Sequence, residues 1–415
     1  MMKKILAIAL AALISLGMIS CGKSDTGNTV KPDATATAEA ATETPAPATS
    51  TPEPKDVNSF DYTEKTINAD VLFPYCKIQG RTIVTDYTFK KSATPVPGIA
   101  LDYSASAIEF NAYCEGTVSA MVKVKSTGIG GAYLYVSVYV DGEQVGSRAT
   151  FKLSKSAGVE IVLAENLERG LHNFRIERQS EAERGLLYID YVTLSGELDE
   201  KPVNAKYFIE FIGDSITTGY GNLYPDDSDG QKGANAAANE YVDGTRTYAV
   251  LAAKSVGADY SVVAQQGIGI VKGHYEHTML QKYTETCYQC NRHEEWNFER
   301  QADVVVINLG TNDAGFYGVG AVSLDKIKQG IRDFIDLVKS KYPNAKILWA
   351  YGMMDQFLCP YIEEAINEKG GAAAGYYYLR LDSNGQGGNG HPNLKSHIAN
   401  GKKLAKELNR ILGNS

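Results

Sequence analysis

Phe208-Ile-Glu-Phe-Ile-Gly-Asp-Ser-Ile-Thr217 runs a short apolar segment into a glycine and then into a serine at the start of a helical stretch. The apolar run, 207–212, has the length and the aromatic and β-branched content of a strand buried on both faces. The same texture returns at 259–264, 303–309, 345–351 and 376–381. Helix-period stripes lie between these runs. Ile327, Ile331, Phe334, Ile335 and Val338 form one stripe, and Leu394, Ile398, Leu404, Leu408, Ile411 and Leu412 form another. Alternating β and α elements predict a parallel sheet with helices on both faces over residues 205–415. Loops at the carboxyl ends of its strands are where chemistry is expected.

Upstream, over residues 60–200, the period drops to two. Residues 107–113, 118–124 and 132–140 alternate or run in β-branched and aromatic side chains, and Asp141-Gly142 is a two-residue hairpin signal. Further strands are expected at 159–163, 172–177 and 187–194, with no helical period. Short strands separated by turns predict an antiparallel β-sandwich of the jelly-roll sort. The fold class is therefore α/β, with an antiparallel sandwich ahead of a parallel-sheet domain.

The amino terminus is an address. Lys3 and Lys4 precede an apolar run from 5 to 19, too short to span a bilayer, so residues 1–20 are expected to be a signal peptide. Cys21 follows where a bacterial lipoprotein is cut and lipid-modified. Residues 21–59, rich in Thr, Ala, Pro and Glu, cannot bury enough surface to order themselves and predict an extended tether. Export, a lipid anchor at Cys21 and a place on the bacterial cell surface follow, with membrane contact through that anchor alone. Across 415 residues, 41 Lys and Arg face 49 Asp and Glu for a net charge of −8 without a basic block. That balance argues against a nucleic-acid partner.

Ser215 stands where its own N–H and the positive end of a helix face an oxyanion forming beside its Oγ. Residues 303–309 end in Gly310-Thr311-Asn312-Asp313, which places the Asn312 amide as a neutral donor at a strand's carboxyl end. Residues 259–264 lead into Gln265-Gln266-Gly267, whose Gly267 can bring a backbone N–H to the same edge. His391 follows the glycine-rich loop 383–390 and precedes the last amphipathic stretch, with Pro392 suited to that helix's first turn. Singly, each motif also suits an ordinary turn or cap. Together they place a nucleophile, a base and three donors on one edge.

GDSITTGYGN, the Gln-Gly-Ile-Gly loop, LGTND and GHPN, in this order, resemble the blocks of the SGNH (GDSL) hydrolases. With Thr247-Tyr248 opening a helix and a β-sandwich in front, residues 60–413 resemble carbohydrate esterase family 2. The resemblance implies a flavodoxin-like three-layer α/β/α catalytic domain, no metal or other cofactor, and removal of O-acetyl groups from polysaccharides or oligosaccharides such as xylan or mannan. By carry-over, Ser215 is the nucleophile and His391 the base and acid. The Ser215 N–H, the Gly267 N–H and the Asn312 amide form the oxyanion hole. Most SGNH enzymes carry an Asp three residues before the catalytic His, and here that position is Gly388. A main-chain carbonyl of the glycine loop, giving a Ser–His dyad, and the Asp382 carboxylate both stand as orienters of His391.

Asp214 and Asp313 are expected to brace the loops that aim Ser215 and Asn312. Tyr220 and Trp349 are weak candidates for a sugar-binding face, beside Tyr224 and Tyr351. His274, His277, Cys287, Cys290 and His293 have zinc-like residue types, but a local disulfide and ordinary surface positions explain them as well. Cys76 with Cys114 is a candidate pair within the sandwich. His397 is expected to brace the fold. Two other readings keep part of this picture: an SGNH lipase or thioesterase with a longer acyl preference, and a surface glycan-binding protein whose catalytic site has decayed at Gly388.

Overall fold

The computed structural model describes residues 55–88, 95–127, 133–147, 151–154, 158–225, 239–288 and 294–413. The expected signal peptide, Cys21 and most of the tether lie outside them, as do Cys290 and His293. Lys55–Ser415 group as one compact unit. Its first part holds strands β1 (Glu64–Asn68), β2 (Lys77–Gln79), β3 (Ile83–Tyr87), β4 (Val96–Leu101), β5 (Ala107–Ser126), β6 (Tyr133–Val140), β7 (Glu143–Val145), β8 (Lys152–Ser154), β9 (Val159–Arg178) and β10 (Gly185–Leu198). All pairings are antiparallel, in the order β3-β4-β10-β5-β9-β6-β7, with β1 on β10, β2 on β5 and β8 on β6. Phe110, Val122, Val136, Phe174, Ile176 and Ile189 are among the side chains of its core.

The expected short strands are longer here. Residues 107–113 and 118–124 belong to one strand, and 159–163 and 172–177 to another, and the two pair along most of their length. Register shifts between Cys114 and Ser119 mark bulges, with Gly116 at φ +73°. A bulge bends a strand without ending it, which sequence period alone cannot separate from a turn. The Asp141-Gly142 hairpin forms as read: Val140 pairs with Glu143, and both loop residues have positive φ. One helical turn, α1 (Ala69–Leu72), interrupts a region read as all strand.

The second part alternates. Strands β11 (Tyr207–Gly213), β12 (Ala258–Ala264), β13 (Val304–Asn308), β14 (Lys346–Tyr351) and β15 (Tyr376–Arg380) form a parallel sheet in the order β12-β11-β13-β14-β15. In chain order this is 2-1-3-4-5, the doubly wound pattern whose switch point lies beside the first strand. The helices are α2 (Ser215–Thr218), α3 (Tyr248–Ser255), α4 (Met279–Lys282), α5 (Thr311–Gly318), α6 (Leu324–Lys341), α7 (Cys359–Glu368) and α8 (Leu394–Leu412). Alternate strand residues feed two cores. Ile209, Phe211, Val304, Val306 and Leu348 pack with α3 and α8, and Ile212, Val305, Ile307 and Ile347 with α6 and α7.

The α6 stripe is buried as expected. In α8 the expected stripe holds only from Leu404 onward. Ile398 is exposed, and the first turns bury Ser396, His397 and Asn400 instead. Gly401 lets α8 approach the α3 backbone at Tyr248, so small and polar residues fill that contact. Cys76, Cys114 and Cys359 are buried free thiols, which corrects the proposed Cys76–Cys114 pair. Cys76 lies against the Leu72 carbonyl instead. Cys287 is in a disulfide. Among the described residues no helix is long and apolar enough to cross a membrane.

Candidate active site

The site forms where β11 lies between β12 and β13, its in-register neighbours at Gly213. That order puts the loop bearing Ser215 between the loops bearing Gly267 and Asn312. Ser215 is the first residue of α2, a single turn. Asp214 caps it by accepting from the Ile216 N–H at 3.0 Å, and Gly219 closes it in the left-handed region. Asp214 is wholly buried, and burial raises its carboxyl to about 7.

His391 Nε2 lies 2.8 Å from Ser215 Oγ, and its Nδ1 lies 3.3 Å from the Asn389 carbonyl oxygen. A carbonyl only accepts, so Nδ1 carries the proton and Nε2 is free to accept from the serine hydroxyl. Burial pushes the imidazole down to about 4, against the carbonyls of Asn389 and Gly388, which raise it. Asn389 adopts a left-handed conformation (φ +54°) that turns its carbonyl toward the ring. The Asp382 alternative is corrected: its carboxylate is largely exposed and paired with Lys403 at 2.7 Å. Close backbone packing holds the histidine loop. The Gly388 N–H donates to the Gly221 carbonyl at 2.9 Å, and the Gly387 N–H to the His391 carbonyl at 2.7 Å. A Cβ on Gly221 would fall 2.8 Å from the Gly388 oxygen.

Asn312 is the second residue of α5. Its Nδ2 donates to the Ile268 carbonyl at 2.8 Å, which ties it to the residue after Gly267 and leaves a second N–H. Asp313 braces the same loop, its carboxylate accepting from the N–H groups of Ile270, Val271 and Lys272 at 2.7, 2.9 and 2.9 Å. The Gln265 N–H donates to the Gly213 carbonyl at 3.3 Å, joining this loop to the end of β11.

The aromatic candidates move. Trp349 is fully buried in the core, edge-on to Phe334, and its Nε1 donates to the Leu309 carbonyl. It shares a strand face with Ile347 and Tyr351 and reaches no cleft. Tyr220 is buried too, its ring 4.6 Å from the His391 ring, so it backs the imidazole and presents no open face to a sugar. Tyr351 is buried and donates to Asp355, whereas Tyr224 is half-buried against Tyr241. Pro392 lies outside the first turn of α8, two residues before Leu394, and Asn393 caps the helix. His397 is buried under α3 and accepts from the Tyr248 N–H at 3.0 Å. His274 meets Phe316 edge-on, and His277 lies 3.1 Å from the Gln265 side chain. Among the described residues no group of three or more His, Cys, Asp or Glu is placed to hold a metal ion.

Sequence reasoning missed two groups. It expected a main-chain carbonyl of the glycine loop beside His391, and Asn389 is the residue whose carbonyl meets Nδ1. Glu181 and Glu183 come from the turn between β9 and β10, where two acids look like a solvated loop. Both are buried against the site: Glu181 accepts from the Thr218 hydroxyl at 2.9 Å and Glu183 from the Gln266 N–H at 2.7 Å.

Residues 209–413 match the family model of GDSL-like lipases and acylhydrolases. The carboxyl-terminal half of this chain is a GDSL-like acylhydrolase domain. Over 330 residues the chain is 29% identical to the cellulase/esterase CelE of Acetivibrio thermocellus, covering 75% of this chain and 37% of that protein. Over 178 residues it is 30% identical to an acetylxylan esterase / glucomannan deacetylase of Cellvibrio japonicus, covering 41% of this chain and 47% of that one. The chain thus spans less than half the length of either relative. A family two carbohydrate esterase from Clostridium thermocellum, solved with cellohexaose, matches with a TM-score of 0.68 at 23% identity, over 82% of this chain and all of the other. The acetyl xylan esterase Est2A of Butyrivibrio proteoclasticus matches with a TM-score of 0.69 at 23% identity, over 85% and 98%. These likenesses extend the shared fold beyond the acylhydrolase domain into the antiparallel part.

Proposed function

We propose that the chain is a serine esterase that removes O-acetyl groups from polysaccharides or oligosaccharides by acyl transfer. The observation that carries this is the contact of Ser215 Oγ with His391 Nε2, with Nδ1 held on a main-chain carbonyl. A neutral, oriented imidazole beside a serine is the arrangement that makes a hydroxyl nucleophilic.

His391 takes the Ser215 proton as Oγ attacks the acetyl carbonyl carbon. The Ser215 N–H, the Gly267 N–H and the free N–H of Asn312 are the donors for the tetrahedral oxyanion. The carbon–oxygen bond to the sugar breaks, and the departing alkoxide takes the proton from His391. Water then attacks the acetyl-serine by the same route and releases acetate. Ser215 and His391 are only 6% and 9% exposed, which supports a small acyl group. The names of the two curated relatives, a cellulase/esterase and an acetylxylan esterase / glucomannan deacetylase, support the substrate class.

Residues 60–200 serve in this reading as a jelly-roll sandwich that completes and supports the catalytic domain at 205–415. Residues 1–20 direct export, Cys21 carries a lipid, and 21–59 hold the enzyme off the bacterial surface.

Initial rates on 4-nitrophenyl acetate and octanoate, with Ser215→Ala and His391→Ala alongside, test the chemistry. Acetate turnover lost in both variants by ~10⁴-fold or more is expected, with weak octanoate turnover. Strong octanoate turnover selects the lipase reading. No serine-dependent release of acetate from the ester or from acetylated xylan and mannan leaves a glycan-binding protein.

A further inference from the structure

The antiparallel half reaches into the site through one turn. Gln179, Ser180, Glu181, Glu183 and Arg184, between β9 and β10, are all buried, although four of the five are charged or carboxamide side chains. Burying such groups is costly unless each is partnered, so their contacts are informative. The Gln179 carbonyl accepts from the Gly244 N–H at 2.8 Å. Arg178 holds the turn's own backbone, donating to the carbonyls of Ser180 and Glu181 at 2.7 and 2.6 Å. The two acids then point across to the acylhydrolase domain. Glu181, paired with Arg184, takes the Thr218 hydroxyl at 2.9 Å, and that hydroxyl lies 2.9 Å from the Ser215 carbonyl as well. Glu183 takes the backbone N–H of Gln266 at 2.7 Å, one residue before Gly267.

We propose that this turn is a positioning element of the esterase site: Glu183 sets the peptide that aims the Gly267 N–H, and Glu181 sets the single helical turn that carries Ser215. The inference rests on the esterase reading above. Neither α2 nor the loop at 265–269 has enough length to fix itself. α2 has four residues, and Gly267 sits at φ +74° with glycine's freedom to rotate, while the other side-chain clamps on this loop's backbone act further along, at Ile268 and at Ile270 to Lys272. A donor must sit within a few tenths of an ångström of the developing oxyanion to act on it, so a peptide clamped one residue away controls that placement. Burial, with Glu181 beside it, pushes the Glu183 carboxyl well above the ordinary carboxylate range. A neutral carboxyl accepts through its carbonyl oxygen much as a carboxamide does.

The test compares Glu183→Gln, Glu183→Asp and Glu183→Ala in the full chain, with 4-nitrophenyl acetate kinetics and the rate at which a serine-reactive phosphonate labels Ser215. Glu183→Gln keeps the acceptor at the same reach and retains most of kcat and of the labelling rate. Glu183→Asp keeps the acid but draws the acceptor back, and Glu183→Ala removes it. Both lose ~10- to 100-fold in kcat and labelling with KM nearly unchanged. If Ala fails to fold, the order of Gln over Asp still decides. Asp at or above Gln, or all folded variants with parental kcat, overturns the proposal while the esterase reading stands. A parent chain that neither hydrolyses the ester nor takes the label removes both.

Discussion

In the proposed mechanism His391 acts as a base while almost enclosed by protein. Burial disfavours the imidazolium and moves its protonation down to about 4, from the ordinary 6.5. The base is the neutral form, which is present above that value. Turnover should therefore stay level through neutral and mildly acidic pH and fall only as pH drops toward about 4. The measurement is kcat/KM on 4-nitrophenyl acetate against pH, with the folded fraction followed in parallel. An inflection at the ordinary histidine value of about 6.5 would contradict the buried, carbonyl-held imidazole. That Ser215 and His391 meet was legible because strand ends expose side chains whose types announce their chemistry. A carbonyl of the glycine loop was expected beside the ring, but not which one, since any residue offers a carbonyl and only the left-handed backbone aims that of Asn389. Trp349 was misplaced for a related reason. Proximity to a strand end says little until the alternation along β14 assigns it to the core face with Ile347 and Tyr351.

At the scale of elements, the parallel strands were readable because burial on both faces leaves a continuous apolar run. The long antiparallel strands were not, because a bulge at Gly116 and a turn have the same sequence appearance. The first turns of α8 bury polar side chains against α3, a choice made by the close approach at Gly401 and not by hydrophobic period. The Gly219–Gly221 turn packs backbone to backbone against the loop that carries His391. Gly221 has φ +66°, and an added Cβ would meet the Gly388 backbone on three atoms at 2.8–3.0 Å. Backbone on both sides leaves nothing flexible to move. Gly221→Ala should displace the loop carrying His391 and lower acetate turnover by ~10-fold or more, with ~1–3 kcal/mol lost in stability. Gly142→Ala is the control: its φ is also positive, but nothing lies within 4 Å of the added Cβ in that hairpin. It should lose some stability and keep parental kcat. Equal loss of kcat in both variants would show that the effect is general strain and not the loop contact.

From Lys55 onward the described residues form one compact unit, in which polar contacts join the antiparallel and parallel parts. Arg81, on the loop between β2 and β3, is buried against Glu210 of β11 at 3.4 Å and donates to the carbonyls of Tyr283 and Glu285. Its guanidinium also lies 5.1 Å from the ring centres of Tyr283 and Phe298. Glu177 of β9 takes the Tyr260 hydroxyl of β12 and pairs with Arg175 and Lys254. The contacts that cross between the two parts were not readable in the sequence, where their partners lie 77 to 204 residues apart. Such contacts couple the two parts, so heating should give one cooperative transition and not two. Removing one member of a buried pair leaves an uncompensated charge and costs about 3–5 kcal/mol, whereas replacing both is far milder. Arg81→Ala should therefore lower the single calorimetric transition markedly, because the Glu210 carboxylate is left buried without its cation. Arg81→Met with Glu210→Gln should recover much of that loss. Two resolved transitions in the parent, with only the first shifted by Arg81→Ala, would mean that the parts unfold independently and that the interface does not carry the stability assigned to it.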